Sequence, residues 1–339
     1  MQRVFPFQKG KMRVNTLNRL SWGLVYTDTR QAQAYAREAL KLARQYKYLR
    51  GEYVANNFIG IASDVVSRYD SALFYYHASL NGSIIAHDTQ SIASNLTNIG
   101  LTHWHIGNFK EALEYNFEAL PYFEKLNDIN DMALLNNNIG LIYSDMKSWN
   151  KAKEFFLKAC KMHRKTGNMI GYGACLNNLG KLYYFEKDFS RARLYFDSAV
   201  HIQHEKKDFY GLAIAYKDLG ILQSASGNPG EAISLMQKSL FYAKQIGDEN
   251  EMTATNLEMS SIFLKQGQTR KALSMVKEAE ATARKIRSRK LIFRVFQQYS
   301  QIYEKTGNPG KALEYFKLYK STEDSVLNDQ QLNKLYELE

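Results

Sequence analysis

Apolar residues recur along this chain at intervals of three and four, in runs long enough for several helical turns, and short polar stretches interrupt the runs. The stretch MALLNNNIGLIYSDM, from Met132, keeps that spacing with no internal breaker, and NKAKEFFLKACKMHRKTG, from Asn150, keeps it again. Each predicts a helix, with a joint of a few residues between them. The alternation returns every 40 residues. Gly60, Gly100, Gly140, Gly180 and Gly220 are 40 apart, and Ser260 and Ser300 continue the series. Ala32, Ala72, Ala112, Ala152, Ala192, Ala232, Ala272 and Ala312 form a second, unbroken series, and Ala39, Ser79, Ala119, Ala159, Ala199, Ser239 and Ala279 a third. Eight such units fill 320 of the 339 residues and leave no room for a second conventional domain.

A glycine in mid-helix costs about 1 kcal/mol against alanine. Five in register therefore predict a second helix too close for a β-carbon, and the alanines mark that helix's matching face. Gly107, Gly227, Gly267 and Gly307 predict left-handed caps at the joint within a unit. Asn228-Pro229 and Asn308-Pro309 restart the chain with proline in a first turn. Asp88, Asp128, Asn168, Asp208 and Asp248, between units, are placed to cap the following helix. Pro121 falls inside a second helix, where a kink is expected.

The order large apolar, Gly, Tyr, Ala, aromatic, Ala occurs as Leu179, Gly180, Tyr183, Ala192, Phe196, Ala199 and as Ile139, Gly140, Tyr143, Ala152, Phe156, Ala159. It resembles the tetratricopeptide repeat in a 40-residue form. The likeness covers about 13–328 and weakens at the ends, where Arg19-Leu20 and Tyr299-Ser300 replace the apolar-Gly pair. The family's proline at the end of the second helix is absent, and about six extra residues per unit imply longer helices. The resemblance implies an all-α fold, a right-handed α-solenoid of about eight helix-turn-helix repeats. Their expected spans are 13–48, 49–88, 89–128, 129–168, 169–208, 209–248, 249–288 and 289–328, after an N-terminal extension, 1–12. The final segment, STEDSVLNDQQLNKLYELE, resembles those that close the repeat regions of bacterial signalling proteins, many from the Bacteroidetes. It is expected to form a helix over 320–339, a candidate linker to an output domain beyond Glu339 and a candidate homodimer contact.

Composition narrows the function. Hydrophobic residues make up 45% and aromatic residues 13%, which excludes wholesale disorder. The net charge of +11 favours acidic partners or surfaces. No apolar stretch of membrane-spanning length occurs, and the first residues lack the apolar core of a secretory leader, so a cytoplasmic protein is expected, or a periplasmic one if a leader has been removed. Cys160 and Cys175 make no disulfide framework and read as buried thiols. No phosphate-binding loop, H-E-x-x-H or G-x-S-x-G occurs, so neither catalysis nor a cofactor is expected. His201 and His204 share a helix face but are too few for a metal, and His103 stands at the repeat's tyrosine position, where packing is expected. The basic run Arg284, Lys285, Arg287, Arg289, Lys290, and Lys147, Lys151, Lys153, Lys158, Lys161, Arg164 and Lys165, could meet phosphates. The second set falls on outer helices, and no nucleic-acid motif accompanies either.

In the family, first helices line a concave groove that takes extended peptides or partner helices. Three residues before each glycine stand Asn57, Thr97, Asn137, Asn177 and Lys217, and two before stand Asn98, Asn138, Asn178 and Asp218. Trp104 and Tyr184 follow a glycine by four and Lys181 by one. The candidate ligand-binding set is therefore Asn57, Thr97, Asn98, Trp104, Asn137, Asn138, Asn177, Asn178, Lys181, Tyr184 and Lys217. Asparagine is a mediocre helix former, and its amide carries a donor and an acceptor that suit a peptide backbone. Lys181 and Lys217 could attract a carboxylate, and Trp104 and Tyr184 could anchor apolar groups. The alternative for the asparagines is structural, with amides bonding one another or the neighbouring helix. The function expected is non-enzymatic protein or peptide binding, as the sensing or regulatory region of a bacterial signalling protein. The alternatives are a passive scaffold for multiprotein assembly and a nucleic-acid-binding solenoid that uses its basic surface.

Overall fold

A computed structural model describes residues 9–286 and 288–336, with the side chains of 289, 290 and 323–336 outside the description. These residues form helices in consecutive pairs: α1 (Gly10–Leu24) with α2 (Thr29–Gln45), α3 (Leu49–Val65) with α4 (Tyr69–Ile85), α5 (Thr89–Ile106) with α6 (Phe109–Leu126), and α7 (Ile129–Asp145) with α8 (Trp149–Thr166). Then come α9 (Met169–Phe185) with α10 (Phe189–Glu205), α11 (Phe209–Ala225) with α12 (Pro229–Ile246), α13 (Glu249–Lys265) with α14 (Thr269–Lys285), and α15 (Arg289–Lys305) with α16 (Pro309–Tyr336). Two compact units result, Met1–Met162 and His163–Glu339, divided within α8. In unit 1 the first helices α1, α3, α5 and α7 touch in turn, as do α9, α11, α13 and α15 in unit 2. Each unit thus has an inner layer of first helices.

The glycine series has the cause expected from the sequence. A β-carbon on Gly60, Gly140 or Gly180 would lie 2.6 Å from the ring of Tyr76, Phe156 or Phe196, and one on Gly220 would lie 2.8 Å from Met236 Cγ. The partner always sits 16 residues on, in the second helix of the same pair. At Gly220 the carbonyl of Ala232 is also 3.1 Å from the missing carbon. Where serine takes the glycine's place, its hydroxyl uses that carbonyl: Ser260 Oγ donates to Ala272 O at 2.9 Å and Ser300 Oγ to Ala312 O at 3.0 Å. The alanines from Ala32 to Ala272 are fully buried. A second aromatic rung recurs beside them, with Tyr183 stacked on Tyr195 (5.2 Å) and Tyr143 on Phe155 (5.6 Å). His103, 4% exposed, stacks on Tyr115 at 5.5 Å in the same place.

The joints are more regular than the sequence shows. Besides Gly107, Gly227, Gly267 and Gly307, the left-handed region holds Lys47, Ser67, His87, Asn127, Lys147, Lys187 and Lys207, 20 residues apart or a multiple of that. Asp88, Asp128, Asn168, Asp208 and Asp248 accept backbone N–H groups of the helices they precede. Pro229 opens α12. Pro121 leaves α6 a single element from Phe109 to Leu126. The expected C-terminal helix is continuous with α16 to Tyr336, and residues 337–339 lie outside the described residues.

Candidate functional site

On the inner face of unit 2, each of three acids meets a cation from the next or preceding first helix. Asp218 Oδ2 accepts from Asn177 Nδ2 at 2.7 Å and lies 3.1 Å from Lys181 Nζ. Glu251 Oε1 lies 2.7 Å from Lys217 Nζ, and Glu258 Oε1 lies 2.7 Å from Arg294 Nη2. Lys217 and Glu251 are 15% and 10% exposed, so removing either would strand a poorly solvated charge. Lys181 and Lys217 are thus already neutralised, which takes away the simple attraction for a ligand carboxylate that their sequence positions imply. Asn177 is 3% exposed and acts through Asp218, while its Oδ1 has no partner. Asn178 is half-buried.

Apolar groups flank this polar row. Ile170, Phe185 and Tyr210 are 52%, 55% and 58% exposed. Tyr184 stacks on Phe189 at 5.8 Å and meets Phe185 edge-on at 5.5 Å. Desolvation by the surrounding protein pushes the Tyr210 hydroxyl above the usual phenol range, with Asp248 and Glu251 adding to it. A side chain that solvent touches but protein surrounds lies in a concavity. Tyr184 is raised in the same way, with Glu258 adding.

The inner face of unit 1 is different. Asn57 Nδ2 donates to Asn95 Oδ1 at 2.8 Å, and Asn95 Nδ2 donates to Ser91 O at 2.7 Å, an amide relay between α3 and α5. Thr97 Oγ1 bonds Ala93 O of its own helix at 2.9 Å. Asn98, Asn137 and Asn138 are half-buried. Trp104 Nε1 donates to Asp145 Oδ2 at 2.7 Å. Asp64 Oδ1 lies 3.3 Å from His105 Nδ1 and 3.4 Å from Thr102 Oγ1. Around these stand Tyr69, 5.9 Å from the His105 ring, and Trp22, which meets Tyr26 at 6.4 Å and Phe58 at 5.8 Å.

Several of these groups escaped the sequence reading. Asn136, one place before the candidate Asn137, is buried and bonds Met132 O at 2.7 Å; Asn56 and Asn256 occupy the same place in their repeats and are buried too. Asp145 follows its glycine by five, and Trp22 and Tyr26 belong to the atypical first unit, where the grid gives no anchor. Among the described residues no three His, Cys, Asp or Glu side chains gather as a metal site, and His201 lies beside Glu205 at 3.5 Å. Within the basic run, Arg284 pairs with Glu280 and Lys285 with Glu249; Arg287 and the side chains of Arg289 and Lys290 lie outside the described residues.

Family models described as tetratricopeptide repeat match residues 131–205 and 293–321. Among solved structures, the Rap conjugation gene regulator of plasmid pLS20, in complex with a Phr peptide, is 14% identical with a TM-score of 0.65, over 93% of this chain and 96% of its own. Aspartyl phosphate phosphatase F from Bacillus subtilis is 15% identical with a TM-score of 0.63, over 93% and 95%. A tetratricopeptide repeat protein from Parabacteroides merdae is 16% identical with a TM-score of 0.55, over 83% and 98%. At such identities the likeness is one of fold. No curated protein matches the sequence.

Proposed function

Starting from a chain built of tetratricopeptide repeats, we propose that this protein binds an extended peptide or protein segment along its first helices, without catalysis, as the sensing or regulatory region of a bacterial signalling protein. The observation that carries the reading is Tyr210, open to solvent at 58% yet ringed by protein, beside exposed Ile170 and Phe185 and the Asn177–Asp218–Lys181 row. Apolar anchors next to a neutral line of donors and acceptors suit a chain whose backbone must be satisfied and whose side chains need pockets. The Phr peptide complex of the pLS20 regulator, on a similar fold, adds support. The phosphatase among the similar folds raises the question of catalysis. Here the three inner acids are committed to Lys181, Lys217 and Arg294, and a carboxylate so held is a poor proton acceptor.

Capture from a cell lysate tests the reading, with wild type compared with Tyr210→Ala and with Phe241→Ala, whose side chain is 58% exposed on α12. Truncating an anchor costs about 2 kcal/mol or more, about 30-fold in affinity. The partner is expected to be lost on Tyr210→Ala and kept on Phe241→Ala. Equal capture by all three proteins would remove the site from the first helices. Lys217→Ala is the wrong probe, because it strands Glu251.

A further inference from the structure

The most open aromatic surface described in unit 1 lies where its first helices end. Trp22 and Tyr26 are 53% and 72% exposed, and Val65 and Val66, closing α3, are 40% and 45% exposed. Contiguous apolar exposure of this kind marks a contact surface. Two carboxylates stand in it. Asp64 is the last acid of α3, and its side chain is only 13% exposed; its bonds to His105 and Thr102, at 3.3 and 3.4 Å, are long. Asp145 ends α7 and holds the Trp104 indole through Oδ2. Asp64 Oδ2 and Asp145 Oδ1 accept no hydrogen bond among the described residues, and neither acid pairs there with a lysine or arginine.

That lack is telling in a chain with 45 lysines and arginines against 34 acids. On the inner face of unit 2, Asp218, Glu251 and Glu258 each have a cation. The Asp64 charge reaches its aromatic neighbours: burial first, and then that charge, raise the hydroxyls of Tyr26 and Tyr76 above the usual phenol range. The C-terminal ends of α3, α5 and α7 add the partial negative charge of their last carbonyls. Carboxylates, helix C-termini and the faces of Trp and Tyr rings all favour a cation.

We propose that Asp64 and Asp145, set among Trp22, Tyr26, Tyr69 and Trp104, take the guanidinium of an arginine in the bound peptide. Arginine fits better than lysine, because a planar guanidinium stacks on a ring while donating sideways to carboxylates, whereas an ammonium does so as a point charge. The inference rests on the peptide-binding reading and makes it specific: the ligand carries an arginine that reaches the ends of α3, α5 and α7.

The test uses the native indoles as reporters. Nα-acetyl-arginine amide and its neutral isostere Nα-acetyl-citrulline amide are titrated while the indole N–H signals are followed by NMR, with Trp104→Phe and Trp22→Phe giving the assignments. Saturable shifts of Trp22 and Trp104 are expected at millimolar arginine probe, with citrulline at least tenfold weaker. The preference should fall to near unity in Asp64→Asn, and in the more exposed Asp145→Asn should the first variant fold poorly. Equal response to both probes, or an arginine preference that survives both substitutions, overturns the inference. The two readings separate cleanly. A captured peptide that needs Tyr210 but is indifferent to Asp64 and Asp145 overturns this subsite and leaves the groove. An arginine response in a protein whose Tyr210→Ala variant captures like wild type keeps the guanidinium site and removes the peptide groove.

Discussion

Lys187 holds a φ of 63° and Lys207 one of 53°, in a region where a β-carbon costs about 1–2 kcal/mol. Both follow a helix C-terminus, where a cation is favoured, and both lack the glycine that Gly227 supplies at the equivalent joint. Replacing either by glycine relieves the strain but loosens the unfolded chain by about 0.4–1 kcal/mol. Lys187→Gly and Lys207→Gly together are expected to raise the thermal midpoint by about 2–4 °C; a fall in calorimetry would show that the lysine side chains matter more than their backbones. At this scale the sequence was half legible. The places of Asn57, Asn177, Lys181 and Lys217 follow from the 40-residue grid, but their partners do not. Asn95, Asp218 and Glu251 sit in the neighbouring repeat, and which of them a side chain meets depends on how one first helix is rotated against the next.

For the helix pairs, the glycine series left little to discover. The partner could not be named from sequence, because Tyr76, Phe156, Phe196 and Met236 share a position and no residue type. Gly180→Ala sets two effects against each other. Alanine gains about 1 kcal/mol of helix propensity, while a β-carbon 2.6 Å from the buried Phe196 ring costs about 1–3 kcal/mol in displaced packing. The ring is fixed on all sides, so a net loss of stability is expected in urea unfolding, recovered when Phe196→Leu is added. A stabilised single variant would show that α9 and α10 can part without penalty. The serines at 260 and 300 looked like decay of the pattern, and their hydroxyls prove to use the carbonyl that crowds the glycines. The lysines in the left-handed joints gave no such signal, since nothing in a lysine announces a positive φ.

For the whole chain, the +11 charge is the feature most open to misreading. Arg13, Arg44, Lys181, Lys217, Lys285 and Arg294 are each engaged with an acid, so the excess is dispersed rather than gathered for a polyanion. Each phosphate neutralised contributes about −0.9 to the slope of log affinity against log salt. Titration with duplex DNA from low to physiological salt should give a slope shallower than about −2; one near −5 or steeper would restore the nucleic-acid alternative. The repeat architecture was legible in full because it is written eight times. The cationic subsite was not, because its residues stand at ring positions that differ from repeat to repeat and include the atypical first one.

The left-handed joints, spaced in twenties from Lys47 to Gly307, also bear on how such a gene can change length. One codon added within a first helix turns everything beyond it by about 100°, carrying an inner-face side chain such as Lys217 toward its own second helix. The same codon added beside Lys147 or Gly227 falls between two finished helices and leaves both faces where they were. Indels that survive should therefore cluster at the beats of this count, whereas change on the binding surface must come by point substitution.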